Sequence, residues 1–206
     1  HPELKIGFLA RDCQERSLNV LSILNQLDPD KIRTIKLNCC PSNLADSCDC
    51  TYLRPEEGSE VKKELGLDPR MTPREVEAMP PDEQFARWSY EFSKCIKCYG
   101  CRNICPVCFC KECSLEHPDL IHSGQNLTEV PLFHMIRAVH MAGRCIDCGL
   151  CEQACPMDIP LRLLYRKVND IVLEQFDYQT GTSLDQPPLN ILGEEVRLEP
   201  QPMTES

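Results

Sequence analysis

The 206-residue chain has no apolar run approaching the roughly 20 residues that cross a bilayer, so no transmembrane segment is expected. Its start, "HPELKIGFLARDC", lacks the basic opening, long apolar core and cleavage site of a secretory leader. The chain opens on His1 rather than Met, from which an upstream segment is expected. Glycine is scarce, at nine residues, and neither Gly-x-Gly-x-x-Gly nor a Walker motif occurs, so no nucleotide site is indicated. A surplus of positive charge is also missing. The net charge of -10 argues against nucleic acid, whose phosphates call for basic patches, and favours docking on a basic patch of another protein.

What the chain has is cysteine, sixteen residues in all. Disulfide-dense domains are usually short, secreted and poor in core residues. This chain is long enough to bury a core and shows no export signal, so metal binding in a reducing, anaerobic cytoplasm is expected instead. Seven of the cysteines fall in "KCIKCYGCRNICPVCFCKEC", Lys94 to Cys113. Its spacing, Cys95-x2-Cys98-x2-Cys101-x3-Cys105-Pro106, recurs as Cys145-x2-Cys148-x2-Cys151-x3-Cys155-Pro156. Two such copies, each closed by Cys-Pro, form the bacterial two-cluster ferredoxin pattern, in which the fourth cysteine ligates the other cluster. One 4Fe-4S cluster is therefore expected on Cys95, Cys98, Cys101 and Cys155, and the second on Cys145, Cys148, Cys151 and Cys105. Zinc prefers four ligands converging on one tetrahedral site, which two sets of three plus one do not offer. A thioredoxin-like pair needs one isolated Cys-x-x-Cys.

Around the motifs, "LKIGFLA" (residues 4–10) reads as a short buried strand and "ERSLNVLSILNQL" as a helix stopped by Asp28-Pro29. "KIRTIKL" reads as a second strand, parallel to the first by the crossover rule. "TPREVEAM" and "PPDEQFARWSYEFSKC" read as helices, the first capped by Thr72, the second with Phe85, Trp88 and Phe92 on one face as core. In "PLFHMIRAVHMAG" the expected apolar stripe is Leu132, Met135, Ile136, Val139 and Ala142, with Gly143 as the stop. His134 and His140 flank it and read as packing or surface residues. "LRLLYRKVNDIVLEQF" repeats Leu161, Leu164, Val168, Ile171 or Val172, and Phe176 at helical spacing. The expected class is α+β: a βαβ unit with a cysteine-rich loop and linker over 1–70, a mainly helical two-cluster ferredoxin domain over 71–180, and an extended, acidic, Pro-rich tail over 181–206.

Eight cysteines remain. Cys13 follows the first strand and Cys39 and Cys40 follow the second, on the edge where α/β sheets bind ligands, and the next loop adds Cys48 and Cys50. A third cubane and free thiols are both open there. Cys108, Cys110 and Cys113 leave a further site open between a fourth cluster, zinc and buried thiols.

"AGRCIDCGLCEQACPMDIPLRLL" and the helix between the motifs resemble the α-helical ferredoxin fold of succinate dehydrogenase iron–sulfur subunits and the heterodisulfide reductase small subunit. "IGFLARDCQERSLNVLSIL", "TIKLNCC" and "CDC" resemble the iron–sulfur/flavoprotein family that includes deazaflavin-dependent hydrogenase and formate dehydrogenase beta subunits. In that family a cysteine pair follows two strands; the pair here is Cys-x-Cys. No counterpart of the family's flavin domain is visible. The resemblance implies a subunit of a larger anaerobic oxidoreductase complex, relaying single electrons to partners with flavin, metal or iron–sulfur centres. The competing reading is a catalytic reductase acting at an N-terminal cluster, as in disulfide reduction, for which adjacent Cys39 and Cys40 speak; a zinc-bearing scaffold is a third. A potential on the order of -400 mV or below is expected from thiolate ligation and acidic surroundings. Lys94, Lys97, Arg102 and Arg144 are candidate charge tuners. The acidic tail from Gly181 to Ser206 is expected to lie across a neighbouring subunit.

Overall fold

The computed structural model describes residues 5–37, 66–69, 71–117, 129–185 and 187. Strand β1 (Ile6–Ala10) leads into helix α1 (Asp12–Ile23), and a short turn at Pro29–Lys31 leads into strand β2 (Ile32–Lys36). The strands pair in parallel, from Ile6 opposite Ile32 to Ala10 opposite Lys36. Asp12 and Glu15 in the first turn of α1 favour the positive end of the helix dipole. The same two carboxylates meet Lys36 at 3.5 and 3.0 Å, which ties the helix to the end of β2. Asn25 in the left-handed region ends the segment early, so the helix stops short of the expected Leu27.

The expectation of a buried β1 is corrected. Only Ala10 is buried, whereas Ile6 and Leu9 are each 60% exposed. Parallel strands bury their apolar runs when layers cover both faces. Among the described residues this sheet has two strands, and α1 packs beside β1.

The remaining elements are helices α2 (Pro73–Glu77), α3 (Pro81–Ser93), α4 (Gly100–Asn103), α5 (Glu129–His140), α6 (Leu150–Gln153) and α7 (Leu161–Phe176). Thr72 caps α2 reciprocally: its hydroxyl accepts from the Glu75 N–H at 3.3 Å, and the Glu75 carboxylate accepts from the Thr72 N–H at 2.6 Å. Pro73 and Pro81 occupy first-turn positions, where a missing N–H costs nothing. α3 buries Glu91 and Phe92 but leaves Phe85 exposed, against the expected common face. Phe92 instead stacks between Trp88 at 5.4 Å and His134 at 4.8 Å.

Helix α5 is turned relative to the expected stripe. It buries Val130, Phe133, His134, Arg137 and Ala138, while Leu132, Met135 and Val139 are exposed. Two polar residues, His134 and Arg137, lie on the inner face, which inverts the simplest apolar reading. In α7, Leu161, Leu163, Tyr165 and Val172 are buried, whereas Ile171 and Phe176 are exposed. The main core collects Val20, Val107, Ala138, Met141, Ile146, Ile159, Leu161 and Tyr165 around Cys101 and six other cysteines of the repeated motifs. Val20 of α1 thus shares a core with the helical part.

The segment after α7 is described through residue 185 and at 187. Its described beginning lies on the chain itself, since the Gly181 carbonyl accepts from Asn19 Nδ2 at 2.9 Å and Pro187 is buried. The rest of the expected tail, from residue 188, lies outside the described residues.

Candidate metal centre

Each cysteine motif folds the same way because each uses the same two backbone reversals. Lys97 and Tyr99 in the first motif, and Asp147 and Gly149 in the second, have positive φ of 51, 58, 56 and 73°. Three of these four are not glycine, and such residues resist this conformation. Strain repeated at matched positions points to a site. Each reversal turns the backbone inward, and the one-turn helices α4 and α6 then carry Cys101 and Cys151. The Lys97 N–H donates to Cys95 Sγ at 3.4 Å. Backbone N–H groups of Val107, Asp147 and Leu150 stand in the same relation to Cys105, Cys145 and Cys148. Donors aimed at sulfur stabilise anionic thiolate.

The two motifs lie against each other through α4 and α6. Gly100 is needed at that contact, because a Cβ there would stand 3.0 Å from the Ala154 carbonyl oxygen of the opposite motif. Two cavities result. The first is lined by Cys95, Cys98, Cys101 and Cys155, with His134 and Phe133. The second is lined by Cys105, Cys145, Cys148 and Cys151, with Arg137 and Tyr165. Each cavity therefore draws three cysteines from one motif and the fourth from the other. Among the described residues no group of three or more His, Cys, Asp or Glu converges as a single metal ion requires. A cubane instead spreads its thiolates over four irons, and four sulfurs around a cavity fit it.

Burial raises the thiols of Cys95, Cys101, Cys105, Cys148 and Cys151, and pushes Cys145 up to about 12. Iron would have to displace a proton from each of these buried thiols on loading. Burial and the neighbouring Arg137 charge push the His134 imidazole down to about 4, so it is neutral at pH 7. His140, on the other side of α5, is exposed.

Of the expected charge tuners, Lys94 pairs with Glu91 at 2.5 Å, Lys97 with Glu129 at 3.1 Å, and Arg102 with Glu116. Sequence reasoning missed Arg137, which is 3% exposed and donates to the Cys101 carbonyl at 2.8 Å and to Cys108 Sγ at 3.9 Å. Its signal was present: with Phe133, His134 and Ala138 it forms an i, i+1, i+4, i+5 face.

Of the further candidates, Cys13 lies in the first turn of α1, beyond the C-terminal end of β1, and contributes to the electrostatic surroundings of Cys148. Cys39, Cys40, Cys48 and Cys50 lie outside the described residues. Cys108 faces Arg137, Cys110 is exposed, and Cys113 packs beside Leu115 and Phe133. Those three point to different surroundings.

Residues 94–160 match the family model of the 4Fe-4S dicluster domain. Over 103 residues, half of the chain, it is 42% identical to the F420-dependent formate dehydrogenase subunit beta of Methanocaldococcus jannaschii. Over 101 residues it is 41% identical to F420-dependent formate dehydrogenase 1 subunit beta of Methanococcus maripaludis. A more distant likeness, 27% over 108 residues, is to the acetyl-CoA decarbonylase/synthase complex subunit alpha 1 of Methanosarcina acetivorans. The matched stretches cover 27%, 26% and 12% of those relatives' own lengths. No helix among the described residues is long and apolar enough to cross a membrane.

Proposed function

We propose that this chain, which carries a 4Fe-4S dicluster domain and is homologous over half its length to formate dehydrogenase beta subunits, passes single electrons within a larger anaerobic oxidoreductase complex. The observation that carries the reading is that each of two cavities is lined by three cysteines of one motif and one of the other. Cys95, Cys98, Cys101 and Cys155 would hold one cluster; Cys145, Cys148, Cys151 and Cys105 would hold the other. When bound, each cluster supplies a one-electron redox centre. The chain's own part is to supply thiolates, to direct backbone N–H groups at sulfur, and to bury the sulfurs in an apolar core. The contact of α4 with α6 keeps the two sites adjacent. A third cluster is proposed at the C-terminal edge of the sheet, on Cys13 with cysteines from among Cys39, Cys40, Cys48 and Cys50. Its support is the position of Cys13 beyond a parallel strand end, near Cys148. The partner is a subunit with its own redox centre.

The exchange is tested by single Cys→Ser substitutions in the anaerobically loaded chain, read by iron content and electron paramagnetic resonance. Cys105→Ser is expected to remove the signal that Cys148→Ser removes, and Cys155→Ser the signal that Cys98→Ser removes. Loss of the same signal in Cys105→Ser and Cys98→Ser would refute the exchange. Iron near eight atoms per chain would refute the third cluster; near twelve would support it.

A further inference from the structure

The charges around the two cavities do not balance alike. At the first, Lys94 is paired with Glu91 and Lys97 with Glu129, while His134 is buried with neither ring nitrogen hydrogen-bonded. At the second, Asp147 receives both Arg162, at 2.7 Å, and Arg166, at 3.0 Å. Glu152 accepts from the backbone N–H of Arg162 at 3.1 Å and lies in the field of both guanidiniums, so two acids face two arginines there. Arg137 is left over. Its guanidinium is buried, lines the second cavity, and meets the Cys101 carbonyl, Cys108 Sγ and the Tyr165 ring, while its Nε has no hydrogen-bond partner. A guanidinium cannot shed its proton, and a buried cation needs an anion near it. The groups available to provide one are the cysteine sulfurs and whatever they hold. Arg16, which reaches the Ile146 carbonyl at 2.7 Å, adds positive charge on the same side.

We propose that Arg137 is the fixed counter-charge of the second cluster, raising its reduction potential above that of the first and making it the electron sink of the pair. A fixed cation stabilises the more negative, reduced state of a nearby centre, and net charge is one of the levers that set a cluster's potential. At the first cavity the corresponding buried polar residue is His134, and the lysines beside it are each paired with a glutamate. Electrons entering at the first motif therefore pass downhill to the second. The inference rests on the exchanged ligand sets, and its readout differs from theirs: those sets are judged by which signal each cysteine substitution removes, this one by the potentials of signals already assigned.

The experiment is a reductive titration of the loaded full chain followed by electron paramagnetic resonance. In the unaltered chain, the signal lost in Cys148→Ser should appear before the signal lost in Cys98→Ser; the reverse order overturns the proposal. Arg137→Gln should disfavour reduction of the second cluster at least tenfold, about 59 mV for one electron, and shift the first by less. Arg137→Lys, which keeps the charge, should leave both within about threefold. Equal shifts in both variants, or no shift in Arg137→Gln, would show a structural role only and overturn it. Loading of Arg137→Lys together with failure of Arg137→Gln to load supports it, because charge is then what the site requires. Failure of both to load overturns it.

Discussion

Glu91 has no exposed surface, and two neighbours answer its charge. One carboxylate oxygen accepts from the buried Leu67 N–H at 2.9 Å, and the other meets Lys94 at 2.5 Å, directly before the first ligand cysteine. Arg87, one turn earlier, donates to the Gly66 carbonyl at 2.8 Å, so α3 holds residues 66 and 67 by both polar ends of the backbone. Truncation to Glu91→Ala strands a buried N–H and an ammonium that is only partly in water. It should cost about 1–3 kcal/mol in denaturant unfolding of the loaded chain. Glu91→Gln keeps an acceptor for Leu67 and should cost less. Neutral behaviour of Glu91→Ala would mean that this anchor carries nothing. A glutamate in "SYEFSKC" reads as a solvated charge, because its partner Leu67 lies 24 positions away. The repeat of the two cysteine motifs was legible because its geometry is local: two reversals and one turn, written twice.

Helix α5 shows how an element can be recognised and still be turned the wrong way. Its helical period admits two faces, and apolar count alone favours Leu132, Met135 and Val139. The inner face is the one with Phe133, whose ring meets Tyr99 edge-on at 5.6 Å and His134 at 5.2 Å. His134 and Arg137 each line a cavity that four cysteines also line, and composition does not carry that information. The two faces make opposite demands on substitution. Leu132→Gln, Met135→Gln and Val139→Gln should each change the stability of the isolated loaded chain by no more than about 0.5 kcal/mol. Phe133→Ala should cost about 3–5 kcal/mol, since it empties a fully buried position. Guanidinium unfolding midpoints decide the phase. A costly Val139→Gln beside a mild Phe133→Ala would restore the stripe read from the sequence.

At the scale of the whole molecule, α1 joins parts that are far apart in sequence. Arg16 bonds the Ile146 carbonyl across 130 positions, and Asn19 bonds Gly181 across 162. Val20, one turn after Arg16, enters the core around the cysteines. Helical periodicity announced α1 but not these bonds, because it records which residues share a face and not what that face will meet. Gly181 has closer surroundings than Gly7, Gly100 or Gly143. Its φ is +74°, and a Cβ there would stand 2.5 Å from the Arg16 carbonyl oxygen, a backbone atom inside a helix that cannot step aside. Gly181→Ala therefore has to push the segment after α7 away from α1, adding left-handed strain to overpacking. A cost of about 1–3 kcal/mol is expected in unfolding of the loaded chain. Gly7→Ala is the matched control, because its Cβ would meet nothing within 4 Å, and it should stay within about 0.5 kcal/mol. If the segment is a clamp that keeps α1 on the second motif, Gly181→Ala should also speed loss of the cluster signal tied to Cys148 more than the one tied to Cys98. Equal rates of loss would leave Gly181 a stabilising contact with no bearing on the second site, and unaltered stability would mean that the segment does not rest on α1 at all.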